Sequence, residues 1–124
     1  MPNKRVLVID DEADIREVIQ TCLELMEGWD VLLAGSGEEG LMSAQSKQPD
    51  AVLLDVMMPE MDGVATFKQL QANRETRQIP VLLLTAKVQP TDRQRFAALG
   101  VVGVITKPFD PLTLTAQIKA LLQW

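Results

Sequence analysis

Five apolar runs, nearly free of polar interruptions, recur along this chain. They are RVLVI at 5–9, DVLLA at 30–34, AVLL at 51–54, IPVLLL at 79–84 and VVGVI at 101–105. A strand with one wet face alternates apolar and polar residues, whereas a strand covered on both faces reads as a continuous apolar run. Unbroken runs therefore predict a sheet buried on both sides. A parallel sheet meets that condition, because its crossover helices coat both faces.

The intervening segments have the required helical spacing. Over 13–27, Ile15, Val18, Ile19, Cys22, Leu23 and Met26 form one stripe, and Gly28 stands where a C-terminal cap belongs. Ser36 with Glu39 fits a capping box opening a helix to about Gln48, with Leu41 and Ala44 inward and Gly40 as a weak point. Val64 to Ala72 presents Phe67 and Leu70, and Pro90 to Leu99 is stopped by Gly100. Asp110-Pro111 reads as an N-cap and first helical residue, ahead of Leu114, Ile118, Leu121 and Leu122. Strands alternating with helices over 124 residues predict one α/β domain. Right-handed crossovers favour a doubly wound five-stranded parallel sheet of flavodoxin-like order 2-1-3-4-5, with helices on both faces.

Composition narrows the chemistry. No apolar run approaches the ~18–20 residues that span a bilayer, and the first five residues lack a signal-peptide layout. The expectation is a cytoplasmic protein without a membrane partner. A single cysteine, Cys22, suits a reducing compartment. The net charge is −5 and the basic residues are scattered, so no direct nucleic-acid contact by this chain is expected. There is no histidine. That excludes Ser-His-Asp triads, His-ligated metals and phosphohistidine on this chain.

Sites in such sheets lie beyond the carboxyl ends of the strands, near the switch in strand order, here between the first and third strands. The first strand ends in Asp10-Asp11-Glu12 and the third in Asp55. Neighbouring strands are only ~5 Å apart, so carboxylates converge there and need a cation or a proton to compensate them. An all-oxygen donor set suits Mg²⁺ rather than zinc. The fourth strand ends in a hydroxyl, Thr85, and the fifth leads to an amine, Lys107, followed by Pro108. Acids, a hydroxyl and an ammonium suit phosphoryl transfer, in which a carboxylate can serve as covalent acceptor. Taken singly, each has an ordinary reading: acids at a helix N-terminus, a turn-capping aspartate, a β-branched strand residue, a surface lysine.

The set D-D at 10–11, D-V-M-M-P-E-M-D-G at 55–63, T-A at 85–86 and K-P-F at 107–109 resembles the receiver domain of two-component response regulators, over essentially the whole chain. The resemblance implies that Asp55 is the phosphoacceptor. It implies that Asp11 ligates Mg²⁺ directly and Asp10 mainly through water, with Asp55 and the Met57 carbonyl completing the protein ligands. Thr85 would bind a phosphoryl oxygen, and Lys107 would pair with the phosphate ahead of a cis peptide to Pro108. The donor would be a histidine kinase, a histidine phosphotransfer protein or a small acyl phosphate. The downstream target is not named by the sequence. A dimer through the fourth helix, fifth strand and fifth helix is the expected mode of self-association.

Two departures stand out. Many receivers carry an aromatic three residues before the lysine, where this chain has Val104, and Val102-Gly103 replaces frequent acids. The fifth strand is therefore unusually apolar. Other readings are a pseudo-receiver, an aspartyl-phosphate phosphatase and a nucleotide-binding Rossmann protein. A phosphatase would need an acid where Met57 stands, and a Rossmann loop would be glycine-rich where Asp-Asp-Glu stands. The whole of 1–124 reads as receiver, with no output domain in this chain and no enzymatic activity beyond self-catalysed phosphorylation and dephosphorylation.

Overall fold

The computed structural model describes residues 4–58, 61–86 and 89–124. Pro59, which from sequence shapes the loop after Asp55, lies outside them. The elements run β1 (Arg5–Ile9), α1 (Ala13–Glu27), β2 (Asp30–Ala34), α2 (Gly37–Lys47), β3 (Ala51–Asp55), α3 (Gly63–Ala72), β4 (Val81–Thr85), α4 (Pro90–Leu99), β5 (Gly103–Thr106) and α5 (Leu114–Leu122). All strand pairs are parallel and the sheet order is β2-β1-β3-β4-β5, as the sequence predicts.

Side-chain alternation divides each central strand between two apolar layers. Leu7, Ile9, Val52, Leu54, Val81 and Leu83 pack with Ala44 of α2, Phe67 and Leu70 of α3 and Phe96 of α4. Val6, Val8, Leu53, Leu82, Leu84 and Ile105 pack with Ile19 and Leu23 of α1 and Leu114 and Ile118 of α5. These two buried layers fix the sheet rigidly, and with it the carboxyl ends of its strands.

Several boundaries move from the sequence expectation. β4 starts at Val81 because Pro80 has no N–H for the ladder, although its carbonyl still accepts from the Val52 amide at 2.9 Å. β5 starts at Gly103: Gly100, left-handed at φ 100°, ends α4, and the two valines carry the chain back to the sheet. Val102 is 43% exposed, while Val101 and Val104 pack partly against the core. Asp110 does not cap α5. Its carboxylate accepts from the Leu112 amide at 2.9 Å, forming a separate turn, and the cap is Thr113. On α1, Val18 and Met26 are exposed, so the inward stripe narrows to Ile15, Ile19, Cys22 and Leu23. Half of the capping box forms: the Ser36 hydroxyl accepts from the Glu39 amide at 3.1 Å.

Gly40 is a requirement rather than a weakness. A Cβ there would collide with the Ile9 side chain, so glycine lets α2 lie directly on β1. Gly40→Ala should destabilise the protein by about 1–2 kcal/mol despite alanine's better helix propensity. A denaturant midpoint that rises instead would show that propensity governs this position.

Candidate functional site

The register sets Asp55 opposite Leu84 and Thr85 opposite Thr106, so the carboxyl ends of β1, β3, β4 and β5 share one edge. Asp10, directly after β1, is fully buried. All its polar groups are engaged. Its amide donates to the Ala34 carbonyl (3.1 Å), its carbonyl accepts from Arg16 Nη1 (2.7 Å), Oδ1 accepts from the Glu12 amide (2.9 Å) and Oδ2 from Lys107 Nζ (3.0 Å). Asp11 next to it is exposed.

Asp55, the last residue of β3, is only 2% exposed. Lys107 Nζ lies 3.2 Å from its Oδ1, which also accepts from the Met57 amide at 3.3 Å. Thr85 ends β4 and is 1% exposed, and its carbonyl accepts from the Lys107 amide at 2.9 Å. The Lys107–Pro108 peptide is cis, as the resemblance implies. Gly63 contributes through close approach: a Cβ would strike the Asp55 carbonyl and lie 2.7 Å from Val56 Cα. Glycine thus lets α3 start against the back of Asp55, where the Gly63 amide donates to the Val56 carbonyl at 2.9 Å.

One oxygen from each of Asp10, Asp11 and Asp55 lies within 4.8 Å of the others. The structure therefore brings together Asp10, Asp11, Asp55 and Lys107, with Thr85 buried at the end of the strand next to Asp55's. Met57 sits beside them, with its own side chain turned to solvent.

The electrostatics follow from burial. Desolvation, then repulsion from Asp10, raise the Asp55 carboxyl from the usual 3.8 to about 6, against the attraction and hydrogen bond of Lys107 and the Met57 amide. Burial opposes charge on Lys107, but the hydrogen bond and field of Asp10, with those of Asp55, hold its ammonium above the usual lysine range. Lys107 is thus the cation that compensates two buried acids. Without metal, Lys107→Met should destabilise the chain by about 2–3 kcal/mol, since it leaves buried carboxylates unpaired at a site open to water on one side. An unchanged melting temperature would mark the lysine as energetically idle.

The sign of the pH effect is set by a raised carboxyl. The folded chain binds this proton more tightly than the unfolded chain, so the stabilisation is full below pH 3.8 and is lost as pH rises through about 6. The effect is worth about 2 kcal/mol, less than in a fully dry site because water reaches the rim and screens the charges. Melting curves of metal-free wild type and Asp55→Asn should diverge over that window, the asparagine variant gaining relative stability. Parallel curves would contradict the buried-acid assignment.

Sequence reasoning passed over Arg16. A signal was available: a cation close to a helix N-terminus runs against the helix dipole and calls for a local acceptor.

Comparison with known proteins agrees with this geometry. Residues 6–119 match the family described as response regulator receiver domain. The chain is 41% identical over 121 residues to the alkaline phosphatase synthesis transcriptional regulatory protein PhoP of Bacillus subtilis, covering 98% of this chain and 49% of that protein. The chain spans about half the length of the curated relatives it matches. Among solved structures, the chemotaxis protein CheY4 of Vibrio cholerae superposes with a TM-score of 0.90 at 32% identity, covering 97% of this chain and 99% of that one. The receiver domain of sensor histidine kinase PA1611 from Pseudomonas aeruginosa has a magnesium ion in its active site cleft. It superposes with a TM-score of 0.86 at 25% identity, covering 99% and 100%.

Proposed function

The chain belongs to the response regulator receiver family, the phosphorylation-activated switches of two-component systems, and from that premise we propose that it receives its phosphoryl group on Asp55. The observation that carries this reading is the placement of Asp55. It is a buried carboxylate at a rigid strand end, paired with one ammonium and flanked by two further acids. In the transfer, an Asp55 Oδ forms a bond to phosphorus while the bond from phosphorus to the donor's imidazole nitrogen breaks, leaving imidazole on the donor. The attacking group must be ionised, and its carboxyl near pH 6 is mostly so at neutral pH. Lys107, already 3.2 Å from Asp55 Oδ1, stays in reach of the incoming phosphoryl oxygens, and the Thr85 hydroxyl takes another.

The three clustered carboxylates fit Mg²⁺, with the Met57 carbonyl as a further oxygen ligand. When bound, Mg²⁺ neutralises charge shared by acceptor and phosphoryl oxygens. A phosphohistidine donor, on a histidine kinase or a histidine phosphotransfer protein, suits a chain that has no histidine of its own. A cleft of about 400 Å³ beside Lys107, lined by Ile15, Val18, Pro108 and Phe109 among others, offers such a donor an apolar seat. Downstream targets or a second copy would meet the face formed by α4, β5 and α5, where Val102 is exposed. Transcriptional control, named for the Bacillus relative, is the output such contacts would serve. No described helix is long and apolar enough to cross a membrane, and a cytoplasmic setting completes the reading.

The test is intact-protein mass after incubation with a small acyl phosphate. A single phosphoryl adduct with Mg²⁺ present, lost with chelator, is expected. No adduct from acyl phosphate or from a phosphorylated histidine donor would mean a pseudo-receiver.

A further inference from the structure

We infer that Arg16 is a positioning residue: its guanidinium, bonded to the Asp10 carbonyl, orients the Asp10–Asp11 peptide so that the Asp11 carboxylate stands beside Asp55. The inference rests on the divalent-cation reading above.

The geometry is specific. Arg16 Nη1 donates to the Asp10 carbonyl at 2.7 Å, in the range of charge-assisted hydrogen bonds. A peptide unit is planar, so fixing its oxygen fixes the Asp11 amide and Cα as well. Asp10 is otherwise immobilised, through its amide on Ala34 and its carboxylate on the Glu12 amide and Lys107. The Glu12 amide on Asp10 Oδ1 closes a ring through the Asp10 Cα–C bond, and Arg16 on the Asp10 carbonyl is the second restraint on rotation about that bond.

Arg16 is itself held in place. Its amide donates to the Glu12 carbonyl at 3.1 Å. Its guanidinium lies over Gly35, just beyond β2, where a Cβ would stand 3.1 Å from Nη1 and 3.6 Å from Cζ. The room left by Gly35 thus belongs to the same device.

Two roles for Arg16 predict opposite signs. As a bare charge near the acids, it repels a divalent cation, and its removal tightens Mg²⁺ binding. As a positioning residue, its removal loosens binding, in line with the ~10–100-fold losses seen when partners of metal ligands are removed. Calorimetric titration of MgCl₂ into the full chain separates them. Arg16→Ala should weaken the affinity about tenfold, and Arg16→Lys should restore most of it, because an ammonium can reach the same carbonyl. Gly35→Val, which crowds the guanidinium, should weaken it in the same direction. Ile118→Val, a mild core truncation in α5, should leave it unchanged.

Equal or tighter binding by Arg16→Ala overturns the inference. Should that variant fail to fold, Gly35→Val carries the test, and wild-type affinity there overturns it. Asp11→Ala keeps the two readings apart. If Asp11→Ala loses Mg²⁺ while Arg16→Ala does not, only the positioning role fails. If wild type and Asp11→Ala behave alike, the cation site fails and the inference falls with it.

Discussion

Asp55→Asn is expected to reduce phosphoryl incorporation from an acyl phosphate to background. The amide is nearly the same size and shape as the carboxylate, so it keeps the packing at the end of β3. It lacks the anionic oxygen that the proposed transfer requires to attack phosphorus. The structure adds that the variant should fold at least as well as wild type without metal, because burial and Asp10 both penalise a charge at position 55. Lost labelling together with undiminished stability is the signature of an acceptor. Labelling at full stoichiometry, measured by intact mass, would place the acceptor elsewhere.

The second large effect concerns Asp11. If Asp11 is the direct oxygen ligand proposed above, Asp11→Ala should weaken Mg²⁺ binding by about a hundredfold or more, beyond the ~10–100-fold losses typical of outer partners. Asp11 is exposed and outside both core layers, so its removal does not disturb packing. Taking one of three clustered acids away should even ease their mutual repulsion in the metal-free chain. Calorimetry that finds unchanged affinity would contradict the ligand assignment. Melting with and without MgCl₂ gives a second reading: the stabilisation by metal should largely vanish in the variant.

The sheet was legible because its signal is local and redundant. Unbroken runs such as AVLL and VLLL mark burial on both faces, and handedness leaves few ways to order the strands. Asp10, Asp55, Thr85 and Lys107 were legible for the same reason, since a polar residue at the end of an apolar run must leave the sheet at its carboxyl edge. Other features depended on distances between elements that no single segment encodes. Gly40 reads as a poor helix residue until Ile9 is seen beneath it, and Gly63 reads as a turn residue until its contact with the back of Asp55 is known. Asp110-Pro111 has the form of a helix start, yet the aspartate closes a turn of its own and the helix waits for Thr113. Lys107 was expected to pair with a phosphate. That it also joins Asp10 to Asp55 needed coordinates, because 97 residues separate it from Asp10.

The central claim, that Asp55 accepts the phosphoryl group, is tested most directly by trapping the bond. Borohydride reduces an acyl phosphate to an alcohol, releasing phosphate and converting a phosphorylated aspartate to homoserine. After incubation with an acyl phosphate and Mg²⁺, peptide mapping by mass spectrometry should find homoserine at position 55 and unmodified aspartate at 10 and 11. Homoserine at 10 or 11, or a phosphoryl adduct that borohydride leaves intact, would contradict the assignment.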